Sequence, residues 1–247
     1  MAGKTKAKKQ SHTKDKQPIG SAFDLLGKSL DIVKKNWQVF AVVNILTIIS
    51  AVGSASGNDH YKERGYWNYQ PINNWGGLSG TQLAAIIGTG FLFVLIFLAI
   101  GIFLYAMSIN LQVKSTSGKK PDLSELFEDG KKYFFRILGL SLLSGLIIIG
   151  GFILLIVPGI IALGRLVMAP YYMVDKDLGV MDAIKKSNDK AIGKMGLIYA
   201  AIGVTILVAI FAGIIGVIPV LGPLAGAAAT IAYSLVLPFR YQQLKKA

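Results

Sequence analysis

The chain has 247 residues, with 53% hydrophobic and only 16% charged residues, a mean hydropathy of +0.55 and a net charge of +13. Its apolar residues lie in long blocks, which excludes an ordinary soluble domain and makes the bilayer the solvent for most of the chain. The absence of cysteine excludes disulfides, thiolate catalysis and cysteine-ligated metals.

Residues 1–18, MAGKTKAKKQSHTKDKQP, combine many lysines with almost nothing apolar, and read as a disordered basic tail. Such a tail attracts anionic lipid or ribosomal RNA, or simply holds its side of the membrane. It has no aromatic residue for base stacking, so no specific nucleic-acid partner is expected. No cleavable signal peptide is expected either, because the first apolar block starts only near Trp37.

From Ile19 the pattern turns helical, with Phe23, Leu26, Leu30, Val33 and Trp37 at three- and four-residue spacing. Ser21 and Asp24 have the spacing of a capping pair. This amphipathic segment is expected at the membrane surface. A first span is predicted at 38–54, followed by a polar, aromatic loop and a second span at 82–113. The latter is read as one long helix because it contains no turn signal.

The third block, 137–174, would measure roughly 57 Å as one helix, far more than a hydrocarbon core of ~30 Å. Pro158 and Gly159 interrupt it, predicting a tight Val-Pro-Gly turn between spans at 137–157 and 160–174. The fourth block divides in the same way at Pro219, Gly222 and Pro223, giving spans at 195–218 and 220–239 and a basic tail at 240–247. Six spans place both termini on one side. The basic residues agree, since 23 of the 26 fall in the four segments on that side. The positive-inside rule makes that side the cytoplasm.

The predicted fold is therefore an all-α polytopic membrane bundle: six transmembrane helices as three hairpins, each preceded by a cytoplasmic amphipathic segment. Those leaders are 19–37, 122–133 and 180–195. The first and third match beyond pattern, as FDLLGKSLD at 23–31 and MDAIKKSND at 181–189 share Asp24 with Asp182, Lys28 with Lys186, Ser29 with Ser187 and Asp31 with Asp189. Two explanations stand: a pseudo-repeat framing a central site, or interfacial helices converging on the same residue types.

Arg165 is the sharpest functional candidate, because an arginine inside a span costs at least ~2.5 kcal/mol at the bilayer centre. It either snorkels to the outer interface from its position just past the predicted turn, or serves a lipid phosphate or helix partner. Gly222 and Gly226 form a GxxxG spacing that close helix packing explains. No Asp, Glu or His lies within the blocks, so a carboxylate relay for coupled transport is not expected. His12 and His60 stand alone, without metal spacing, and no nucleophile elbow or phosphate-cradling loop is present. No enzyme activity and no cofactor are predicted.

The stretch Leu154 to Lys194 resembles the membrane-domain family of bacterial glycerophosphoryl diester phosphodiesterases. The likeness lies in Pro158, Gly159 and Ile160, then Arg165, then the exit Val174, Asp175 and Lys176, then Ala183, Ile184 and Ser187, and Lys194. The ending from Leu237, LPFRYQQLKK, is similar to that family's Pro-Phe exit but lacks its usual acidic-Leu-Arg close. The resemblance implies a six-helix membrane fold in the bacterial inner membrane. It carries over no catalytic residue, since the family's name comes from a fused barrel domain that this sequence does not contain.

The expected role is non-catalytic, envelope- or lipid-associated binding, with anionic phospholipid as partner; the rival is an uncoupled channel or facilitator for a small solute. A homo-oligomer or a membrane-protein partner is also compatible with the pattern. The residues singled out as a lipid or structural motif are Pro158, Gly159, Arg165, Pro170, Asp182 and Ser187.

Overall fold

The computed structural model describes residues 21–57, 79–218 and 221–246; the basic tail, most of the polar loop and Pro219 lie outside the described residues. Every element among the described residues is a helix. They are α1 (Asp24–Lys35), α2 (Trp37–Val43), α3 (Ile45–Gly57), α4 (Gly80–Thr116), α5 (Leu123–Leu154), α6 (Ile156–Leu166), α7 (Ala169–Lys176), α8 (Val180–Ala191), α9 (Met195–Gly216), α10 (Leu221–Ala232) and α11 (Val236–Lys246). Five helices or near-continuous helix pairs are long and apolar enough to cross a membrane, and six if the bent pair α2 and α3 forms one span. This is the pattern of a multi-pass membrane bundle.

The core sits at the basic end. Its largest buried side chains include Leu25, Phe40, Leu111, Leu126, Tyr172 and Tyr241. The opposite ends are bare: Ile153 is 79% exposed, Val217 is 80% exposed, and α4 exposes apolar side chains on all faces from Ile86 to Leu98. Water would not tolerate an apolar surface of this extent, whereas lipid tails would cover it at no cost.

Several expectations need correction. The turn in the third block is not at Pro158–Gly159 but at Leu155, the single residue between α5 and α6. Pro158 instead lies in the first turn of α6, where a helix has no use for the missing N–H. Gly159 serves the packing of this hairpin, since the Cα of Gly159 would lie 2.9 Å from a Cβ on Gly151.

The second leader is not a separate element. Asp122 caps α5 by accepting from the Glu125 N–H at 3.3 Å, and the helix then runs 32 residues without a break into the span. Nor are residues 240–246 a tail, because α11 continues through Lys246 and buries Tyr241 and Leu244 at three-residue spacing. The first span is bent by 75° at Asn44, whose side chain donates to the Phe40 carbonyl at 2.8 Å. The span predicted at 160–174 is interrupted between Leu166 and Ala169, and the last one between Ala232 and Val236.

Other readings hold. The second block is one helix of 37 residues, closed at its start by a reciprocal capping box between Ser79 and Gln82. Ser21 and Asp24 make the expected reciprocal pair, at 2.9 and 3.2 Å, in the turn that leads into α1. The GxxxG pair packs within the chain, as Gly222 and Gly226 face the backbone of α9 at Ile215, Gly216 and Ala212.

Candidate functional site

The polar groups of the basic end are mostly used up in joining helices. Lys114 on α4 bridges Glu125 at 2.9 Å and Asp129 at 2.5 Å on α5. Asp175 on α7 accepts from the Tyr241 hydroxyl at 2.5 Å and pairs with Lys245 at 2.6 Å, both on α11. Gln242 donates to the Ser117 hydroxyl at 2.9 Å.

Asp177 ends α7 in the left-handed conformation, at φ 52°, which aspartate tolerates better than most residues. Its carboxylate meets Lys132 at 3.0 Å, Arg136 at 2.6 Å and the Tyr133 hydroxyl at 3.1 Å. The hydrogen bond from Lys132, helped by those from Arg136 and Tyr133, holds its carboxyl below the usual carboxylate range. A carboxyl lowered on folding adds stability that is complete above the unfolded value of ~3.9 and disappears as pH falls through the folded value. The α7–α8 connection is therefore expected to stay tied to α5 at neutral pH and to loosen only in acid. Asp177→Asn keeps a residue suited to the left-handed turn but removes the charge. It should speed amide exchange at Leu178 at neutral pH and abolish its acid-dependent step; an unchanged profile would count against the tether.

Among the described residues several buried polar atoms have no hydrogen-bond partner, including Ser115 Oγ, Ser144 Oγ, Tyr172 Oη, Ser234 Oγ and Arg165 Nε, and of these only Arg165 borders a pocket beside α8. Arg165, in the last turn of α6, donates from Nη1 to Asn188 Oδ1 on α8 at 3.3 Å, a long bond for a charged donor. Its Nε is buried without a hydrogen-bond partner. The guanidinium faces an open pocket of about 350 Å³ lined by Ile147, Pro158, Ile161, Ala162, Leu166 and Ile184, with Asn188 as the other polar group. Directly behind it, the Ser187 hydroxyl donates to the Arg165 carbonyl at 2.6 Å, fixing α8 against the end of α6.

This placement puts Arg165 against a helix partner rather than beside the turn. With the turn at Leu155, Arg165 lies ten residues along α6, roughly 15 Å from the turn, and its side chain meets α8 at the basic end.

Pro158 and Arg165 line the same pocket, Ser187 bonds the Arg165 carbonyl, and Gly159 lies in the hairpin against Gly151. Pro170 and Asp182 do not join them. Pro170 opens α7, and Asp182 is an exposed acid in the first turn of α8, where it favours the helix dipole. Asn188 is not singled out by the sequence reading, and Ile184 only through the family-like stretch, though both line the pocket. Both stand one turn apart on the face of α8 next to Ser187, so their signal was there once Ser187 had been chosen. Among the described residues no three His, Asp or Glu side chains are grouped as a metal ion would require.

The chain matches no protein-family model, no curated protein and no solved structure.

Proposed function

We propose that this is a non-catalytic, multi-pass protein of the bacterial cytoplasmic membrane that holds an anionic phospholipid, with the lipid phosphate on Arg165 and the glycerol and upper acyl chain along the pocket. Its six spans form three hairpins with both termini in the cytoplasm, and α1 and α8 lie in the interface. The likeness of residues 154–194 to the phosphodiesterase membrane-domain family belongs to this same proposal.

The observation that carries the reading is the buried, unbonded Nε of Arg165 beside an apolar pocket. A guanidinium is a planar fork of five donors, and a phosphate oxygen satisfies it better than the single amide oxygen of Asn188. Leaving a buried donor unpaired costs about 1–3 kcal/mol, which a bound anion would recover. The volume lies at the lower end of ligand pockets, suited to a headgroup and the start of a chain rather than a whole lipid.

Native mass spectrometry of the gently solubilised protein tests this. Anionic phospholipid should remain on the wild type, fall on Arg165→Lys and be lost on Arg165→Ala, while the same spectra report subunit number. Equal retention by wild type and Arg165→Ala, or none by either, would overturn the proposal.

A further inference from the structure

We propose that the chain is one structural unit repeated three times around a closed ring, in which Ser29, Gly130 and Ser187 are equivalent docking positions and Arg165 is the ligand-facing departure from the repeat.

The three leaders share a register that reaches beyond the sequence match. An acid in the first helical turn is followed at once by a buried apolar residue and four positions later by a buried small one. These triplets are Asp24, Leu25 and Ser29; Glu125, Leu126 and Gly130; Asp182, Ala183 and Ser187. The four-residue spacing puts the apolar and the small residue on one face, one turn apart.

What that face touches is also repeated. Taking a unit as a leader, a first span and a closing helix, each leader packs on the closing helix of the unit before it. The leader part of α5 lies on α4, α8 lies on α6 and α7, and α1 lies on α10 and α11, which closes the ring. The first spans follow the same order, with α5 on α4, α9 on α6 and α3 on α10.

The small residue at each docking position follows from the backbone it meets. Two of the closing helices are broken, α6 from α7 and α10 from α11, and a proline stands in the first turn after each break, Pro170 and Pro238. Proline withholds an N–H from the turn before it, so these breaks leave backbone groups in need of partners. Ser187 donates to the Arg165 carbonyl at one break. Ser29 bridges the other on both sides, donating to the Ala232 carbonyl at 2.7 Å and accepting from the Leu235 N–H at 3.2 Å. The remaining closing helix, α4, has no proline and no break, so it offers no free carbonyl, and the docking residue is glycine. A Cβ on Gly130 would lie 2.8 Å from Met107 Cγ and 2.9 Å from Phe103 Cε2.

Within this frame the residue whose carbonyl is gripped is Arg165 in one unit and Ala232 in another. At the other break the gripped carbonyl belongs to an alanine, so the serine bond itself does not need the guanidinium, whose bond to Asn188 Oδ1 is a separate tie to α8. That separates the architecture, which needs Ser187, from the lipid site, which needs Arg165. Only the role of Arg165 rests on the proposed function.

Hydrogen exchange of the full chain in nanodiscs, read by mass spectrometry, tests both parts. Ser29→Ala should speed exchange on the order of tenfold at 233–236, and Ser187→Ala at 166–169, each leaving the other break unchanged. Gly130→Ala should loosen 126–134, and Gly130→Ser more so. Arg165→Ala should leave 166–169 as protected as in the wild type. The ring is refuted if the serine variants change nothing at their breaks or if Gly130→Ser is as protected as the wild type. Loss of protection at 166–169 in Arg165→Ala refutes the separation of site and frame. Lipid retention enters none of these readings, so failure of the lipid proposal would be seen apart from failure of the ring.

Discussion

Gly222→Val is expected to be among the most damaging single substitutions in this protein. A Cβ at this position would collide with the Ile215 carbonyl oxygen and come within 2.8 Å of backbone atoms of Gly216, and a backbone cannot swing aside as a side chain can. Relief requires α10 to move off α9, so the cost should exceed the usual overpacking range, at roughly 3 kcal/mol or more. Gly159→Ala is the informative contrast. Its Cβ would meet the ring of Phe152, a side chain 43% exposed on the bare end of the bundle, which can rotate away into lipid. We expect that variant to lose about 1 kcal/mol, at the low end of overpacking. Melting temperatures of the two proteins in one detergent give the comparison, and a Gly222→Val protein as stable as wild type would refute the close packing of α9 and α10.

Asp175→Ala is expected to have the second largest effect. The carboxylate is largely buried, with 11% of its side chain exposed, and accepts from the hydroxyl of Tyr241, which is itself fully buried. Removing it leaves the hydroxyl without its acceptor and frees Lys245, which is 35% exposed and can turn to water. The loss should be about 2–3 kcal/mol, most of it from the stranded hydroxyl and the parting of α7 from α11. Asp175→Asn keeps an acceptor and should lie between alanine and wild type. Chemical unfolding in mixed micelles orders the three; if alanine and asparagine behave alike, the hydrogen bond from Tyr241 contributes little.

The large divisions of this fold were readable because they are set by composition. An apolar run longer than the bilayer must turn, and one without a turn signal, such as residues 82–113, must be a single helix. What was misread depended on direction or distance. Proline marks a helix start as readily as a helix end, so Pro158 pointed to the neighbourhood of the turn at Leu155 but not to its residue. The change from charged to apolar at Arg136 looked like a boundary, yet the backbone of α5 has no reason to break where only the solvent changes. The bend at Asn44 rests on one polar side chain in an apolar run, and the role of residues 240–246 on packing by Tyr241 that periodicity alone assigns to no partner.

The site was half legible. Arg165 stood out because charge is costly where it lies, and Ser187 because it recurs in the first leader. Asn188 did not, since it comes within bonding distance only after 23 residues of chain have turned back on themselves. Its counterpart in the first leader is Leu30, so the comparison that exposed the serine concealed the asparagine.

The central claim, an anionic phospholipid on Arg165, is tested most directly by photocrosslinking in liposomes that contain an anionic phospholipid with a reactive group near its headgroup. Crosslinks should concentrate in the peptides around 158–166 and 184–188, be displaced by unlabelled anionic lipid but not by zwitterionic lipid, and be absent from Arg165→Ala. Crosslinks spread evenly over every lipid-facing helix, with the same yield in the variant, would contradict it.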